Sequence, residues 1–224
     1  MPDEKRGIHI GVEGTFDQAI VQKIVNYLGF EVLDNRQHPK KEMRKKIIGF
    51  NVSAESAPWI VLVDLDTEEG YPCASKLVRE WLPNPADFMC FRVATREIEA
   101  WLLADRERLA QFLCIPLTDI PLDPESIVYP KECLINLARH SRDTSIVTDL
   151  VPRRESGRTE GPGYTNRMIK FISHNQRGWR HDIAATSADS LNRFIRCLNE
   201  LKIKSNIDRV PRTRRPSRIK SVRR

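Results

Sequence analysis

The sequence predicts an α/β protein, a parallel sheet flanked by helices that is followed by a helical extension and a basic tail. Three observations carry this expectation. Short apolar runs alternate with helical patterns over the first 113 residues, the order expected of a doubly wound parallel sheet. The most hydrophobic run, WIVLVDL at 59–65, is too short and too β-branched for a helix, which marks a strand buried on both faces. Beyond Leu113, prolines at 116, 121, 124 and 130 punctuate a linker, and the rest carries helical patterns without a convincing strand.

Residues 7–12 (GIHIGV) form the first apolar run and end at the turn Glu13-Gly14. The next stretch spaces Phe16, Ala19, Ile20, Ile24, Tyr27 and Leu28 as one helical face, with Thr15 suited to cap its start and Gly29 its end. Phe30–Leu33 reads as a second strand, and KKEMRKKIIGF at 40–50 as a basic helix. Strand 59–65 runs into Asp64, Asp66, Glu68 and Glu69, and Cys73–Leu82 is the helix after them. A fourth strand, Asp87–Val93, leads into one long helix from Thr95 to Leu113, with Ile98, Trp101, Leu102, Leu109 and Phe112 on one face. The expected units are therefore an α/β domain over 1–113, a helical extension over 114–208 with helices near 130–140, 164–175 and 187–202, and a tail over 209–224. The stretch PRRESGRTEGPG at 152–163 reads as a flexible, solvated loop.

Composition excludes several classes. With 224 residues, of which 40% are hydrophobic, the chain is neither collagenous nor disordered, and it has no run of 18 apolar residues. The start MPDEKRGIHI is charged and lacks a signal-peptide apolar region, so the expected location is the cytoplasm. Five cysteines, an odd number without a C-x-x-C pair, read as reduced core residues and argue against a structural zinc site.

The net charge of +7 is unevenly placed. Eight basic residues and no acidic one fall between Arg209 and Arg224, leaving the body close to neutral. Such a tail has too little apolar surface to order itself when free. It reads either as a solubilising end or as a contact for nucleic-acid phosphates through Arg209, Arg212, Arg214, Arg215, Arg218 and Lys220.

Ligands of open α/β sheets bind at the carboxyl ends of the strands. Glu13 follows the first strand, Asp64 and Asp66 end the central one on the same side of the chain, and Glu97 and Glu99 follow the fourth. Converging carboxylates raise one another's pKa unless a cation neutralises them, and oxygen-only ligands favour Mg²⁺ or Mn²⁺. Acids are also common in loops, and Glu97 four residues before Trp101 can equally stabilise a helix start, with Glu99 pointing elsewhere.

The two motifs in order carry a resemblance. IHIGVEGTFDQAIVQKIV followed by WIVLVDLDTEEG resembles the TOPRIM domain of topoisomerases, primases and related nucleases, whose pattern is a strand, an E-G turn, and a later hydrophobic strand ending in D-x-D. The matching residues are Glu13-Gly14 and Asp64-x-Asp66, with Asp17 in an E-G-x-x-D extension. This covers about residues 7–113. RVATREIEAWLLAD, PKECL at 130–134 and Gly-x-x-Tyr ending at Tyr164 are more specifically similar to small stand-alone TOPRIM-like proteins encoded beside ABC-type ATPases and associated with phage defence. The resemblance implies a TOPRIM/Rossmann-like sheet and a Mg²⁺- or Mn²⁺-dependent nuclease, with Glu13, Asp64 and Asp66 catalytic and metal-binding. Asp17, Glu97 and Glu99 would complete a second metal site. The implied partners are DNA or RNA and an ATPase, and the rival reading is a non-catalytic TOPRIM-like scaffold.

Other candidates are weaker. His9 reads as a packed core histidine, and His140, His174 and His181 lack a nucleophile turn such as G-x-S-x-G. Gly11-x-x-Gly14 lacks the third glycine and the lysine of nucleotide fingerprints. Tyr164 cannot be assigned the strand-transferring role of some TOPRIM proteins and reads as a packing residue. Arginines between 139 and 180 form either a cationic wall or a solvated face, and Trp179 reads as core sooner than as a base-stacking platform.

Overall fold

Four strands pair in parallel in the order β2-β1-β3-β4: β1 (Arg6–Val12), β2 (Phe30–Gln37), β3 (Trp59–Asp64) and β4 (Met89–Ala94). The structure, a computed structural model, describes residues 6–65 and 71–207. Helices α1 (Thr15–Tyr27), α2 (Lys40–Ser53) and α3 (Ala74–Trp81) make the crossovers, giving a Rossmann-like α/β fold. Then follow α4 (Glu99–Ala104), α5 (Arg106–Leu113), α6 (Pro130–Ala138), α7 (Thr144–Leu150), α8 (Tyr164–Ser173), α9 (His181–Ala184) and α10 (Asp189–Ile207).

Side-chain alternation along the strands divides the core in two. Trp59, Val61, Val63, Met89, Phe91 and Val93 point to one face, where they pack against Met43, Ile47 and Phe50 of α2 and Leu77 and Trp81 of α3. Ile8, Ile10, Val12, Ile60, Leu62 and Cys90 point to the other. There α1 supplies Ile20, Val21, Ile24 and Val25, and the same cluster runs on without a break through Trp101, Leu134, Phe171, Trp179 and Leu198. The extension thus shares its core with the sheet. All five residues from Trp59 to Val63 are buried, as a strand covered on both faces requires.

Local chemistry explains the boundaries. Gly29, at φ +84°, takes the left-handed conformation that ends α1, a position favouring glycine. At the other end of α1 the cap residue is Gly14 and not Thr15; its N–H is held by the Asp17 carboxylate at 2.8 Å. β2 extends four residues past Leu33 because its edge pairs with β1 as far as Gln37. Two short helices, α7 and α9, lie in stretches where periodicity is too brief to read.

Two expectations are corrected. The single helix over 95–113 is two helices. Thr95–Ile98 precede α4, with Arg96 at φ +67°, and the chain breaks again at Asp105. The fully buried Asp105 carboxylate accepts hydrogen bonds from the Arg180 backbone N–H (2.8 Å) and guanidinium (2.6 and 3.1 Å), a demand from a distant segment that overrides local helix preference. The cysteines are not uniformly reduced core residues. Cys90 of β4 and Cys197 of α10 form a disulfide, 107 residues apart in sequence, while Cys73 and Cys114 are exposed. The loop over 152–163 is exposed along most of its length, in keeping with a solvated loop, and at its end the Gly161 and Gly163 N–H groups donate to the Leu150 and Asp149 carbonyls (3.0 and 2.9 Å).

Among the described residues no helix is long and apolar enough to cross a membrane. The basic tail, including Arg209, Arg212, Arg214, Arg215, Arg218 and Lys220, lies outside them.

Candidate functional site

The strand order places a topological switch point between β1 and β3, since the chain leaves β1 toward β2 and leaves β3 toward β4 on the other side. Loops diverge there and open a crevice at the strands' carboxyl ends. Glu13 follows β1 and Asp64 ends β3, so both acids land at this crevice. They meet directly: a Glu13 carboxylate oxygen accepts the Asp64 backbone N–H at 2.9 Å, across 51 residues of sequence. Asp66, Glu68 and Glu69 lie outside the described residues.

Asp17 sits one turn into α1, bonded back to the Gly14 N–H. Burial pushes its carboxyl up from the usual 3.8 to about 6, against the lowering effects of the Gly14 N–H and the Lys131 ammonium. The protein therefore holds Asp17 as a weaker acid than a solvated carboxylate.

Glu97 and Glu99 are both present in the site. Glu97 precedes α4, where its backbone carbonyl accepts the Ala100 N–H at 3.0 Å; its carboxylate turns to the start of α6 and accepts the Lys131 backbone N–H at 2.8 Å. Glu99, expected to point elsewhere, is almost completely buried and lies 3.7 Å from the Lys131 ammonium. The helix projection fails because residues 95–98 are not helical. Burial raises the Glu99 carboxyl to about 7; Lys131 opposes this, while Glu97 and Asp17 add to it.

Lys131 is the residue the sequence reading missed. Its ammonium contacts Glu99 and also Glu160 (2.9 Å), and it lies 5.1 Å from the centre of the Tyr164 ring. Burial alone would lower its pKa, but the surrounding carboxylates of Glu99, Glu160 and Glu97 outweigh that and raise it. A signal was present: a lysine in the first turn of a helix opposes the macrodipole, which calls for a compensating partner in the fold. Glu160, inside a glycine-rich loop, carried none.

Tyr164 is buried, as expected of a packing residue, but its hydroxyl donates to Glu99 at 3.2 Å. Burial, reinforced by Glu99, holds that phenol well above its usual value, so it remains a donor. Trp179 is core: its indole N–H donates to the Trp101 carbonyl at 2.9 Å, which removes it as a base platform. Arg167 and Arg180, from the expected cationic wall, are tied to Asp149 (2.7 Å) and Asp105 (2.6 Å). His9 stacks on Trp59 with ring centres 4.8 Å apart.

Among the described residues no three His, Cys, Asp or Glu side chains converge closely enough to enclose a metal ion. The acids after the strands fall into two groups: Glu13 bonded to the Asp64 backbone at the β1 and β3 ends, and Glu97 and Glu99 gathered about Lys131, with Asp17 close enough to Glu99 to raise its pKa. Comparison with family models, curated proteins and solved structures finds no match to this chain.

Proposed function

We propose that the protein is a divalent-metal-dependent phosphodiesterase or nuclease of TOPRIM type that acts on DNA or RNA. The observation that carries this reading is the meeting of Glu13 with the Asp64 backbone at the switch point, the crevice where α/β sheets bind their ligands. Glu13, Asp64 and Asp66 would hold Mg²⁺ or Mn²⁺, with Asp17 and Glu97 as further ligands. A bound ion supplies a Lewis acid for a phosphoryl oxygen and a lowered pKa for an attacking water. Glu99, raised to about 7, can hold or release a proton near Asp17, and the Tyr164 hydroxyl and Lys131 ammonium keep its orientation. The ABC-type ATPase partner, the phage-defence role and the phosphate-binding tail are proposals that rest on the resemblance and on the tail's charge.

Purified protein incubated with plasmid, single-stranded DNA and RNA in Mg²⁺ or Mn²⁺ tests this. Cleavage is expected, falling by roughly 100-fold or more in Asp64→Ala, as for loss of a group that stabilises transition-state charge. Full activity in Asp64→Ala, or none on any substrate even with the ATPase partner, contradicts it.

One observation favours a second reading. The Lys131 ammonium already neutralises part of the acidic cluster, as expected of a scaffold that binds nucleic acid without chemistry. Such a scaffold gains no stability from Mn²⁺, because a ligand stabilises only a state that has its site.

A further inference from the structure

Beside the acidic crevice lies a second feature of opposite charge. A cleft of about 860 Å³ opens between α3, the end of β4 and the first turns of α10, within the range of about 300–1,000 Å³ typical of ligand sites. Among the described residues five arginines line it: Arg79 from α3, Arg92 from β4, Arg96 just beyond β4, and Arg193 and Arg196 from α10. Three acids among the described residues share the lining, and two are already engaged. Glu125 accepts the Asp189 and Ser190 N–H groups that begin α10 (2.9 and 3.0 Å), and Asp189 pairs with Arg193 at 2.7 Å.

The arginines are poorly compensated. Among the described residues Arg79, Arg96 and Arg196 make no side-chain hydrogen bond or ion pair. Arg92 is partly buried, and its Nε has no hydrogen-bond partner there. Burial weakens its hold on its proton, Glu200 counteracts this, and the nearby Arg193 and Arg196 add to it. Clustered cations facing a cavity repel one another unless an anion lies between them. The thiol of Cys73, at the start of α3, lines the same cleft; local hydrogen bonds with the Ser75 hydroxyl and the Lys76 N–H lower its pKa first, with Arg79 adding a smaller part.

The cleft and the acidic crevice adjoin at two peptide bonds. Leu65 lines the cleft and Asp64 the crevice; Arg96 lines the cleft and Glu97 belongs to the acidic cluster. Each of these two cleft residues is thus one peptide bond from an acid after the strands.

We propose that this cleft binds the sugar-phosphate backbone of a single nucleic-acid strand and leads it to the acidic crevice. The proposal rests on the nuclease reading for its substrate class. It relocates the cationic surface from the arginines between 139 and 180 to α3, β4 and α10. Arginine suits the task because its planar fork pairs with phosphate oxygens in a bidentate manner.

The test measures binding without catalysis. Fluorescence anisotropy of a labelled single-stranded oligonucleotide in EDTA compares the wild type with Arg79→Glu/Arg196→Glu, two side chains with no hydrogen bond to lose. Arg153→Glu/Arg154→Glu, on the exposed loop, makes the same charge change elsewhere. The cleft pair should weaken binding by about tenfold or more and flatten the salt dependence by about two phosphate contacts, with a much smaller effect of the loop pair. Equal effects of the two pairs, an unchanged affinity and slope, or no strand binding by the wild type would overturn the proposal. Glu13→Gln separates the two ideas, since it should abolish cleavage and keep strand binding. A wild type that binds through the cleft yet cuts nothing in either metal sinks the nuclease reading and leaves the cleft standing.

Discussion

Glu99 and Asp17 are carboxyls whose surroundings favour the neutral form, and this has a consequence for stability. In the unfolded chain both are ordinary acids that lose their protons near pH 4, whereas in the fold Glu99 titrates at about 7 and Asp17 at about 6. Between those limits the folded state binds more protons than the unfolded state, so stability falls as pH rises from about 4 to about 7 and then levels off. Metal-free protein should therefore melt at a lower temperature at pH 8 than at pH 5, through this pair, and Glu99→Gln should remove most of its own share of the decline. Melting curves across pH for both proteins check this; an equally steep decline in Glu99→Gln would show that Glu99 is not the source. At this scale the sequence showed which acids to watch, through their positions after strands. It did not show how they pair, because Lys131 reaches Glu99, and Glu160 reaches Lys131, from segments far along the chain.

At the scale of elements, strands were the most legible. β1 and β3 lie within one residue of the apolar runs that announced them, because burial on both faces leaves little choice of residue. Helices were legible as far as their periodicity lasted and failed at tertiary demands, as where buried Asp105 breaks the expected long helix for the sake of Arg180. The segment that delivers Arg180 depends on a tight turn. A Cβ at Gly178 would stand 2.2 Å from the His174 carbonyl oxygen and 2.4 Å from that of Phe171, both backbone atoms that cannot swing aside. The turn also sets Trp179 into the core, its N–H donating to the Phe171 carbonyl at 3.2 Å. Gly178→Ala should thus cost about 1–3 kcal/mol or more, read as a lower urea midpoint; an unchanged midpoint would mean the turn relaxes freely.

Across the whole molecule, the parallel sheet and its C-terminal helical extension were both legible, but their union was not. A single hydrophobic cluster joins α1's face of the sheet to α6, α8 and α10, and no pattern in one segment announces which distant helix will cover it. That union shapes one side of the site: α6 and the loop before α8 bring Lys131 and Glu160 to Glu97 and Glu99 at the start of α4. Whether Glu13, Asp64 and the acids near them hold a divalent ion, as proposed, is read by calorimetric titration of metal-free protein with Mn²⁺. The wild type should bind Mn²⁺ and release protons as the raised carboxyls ionise, and Glu13→Gln should lose that binding while remaining folded. No binding by the wild type, or the same binding in Glu13→Gln, would contradict it.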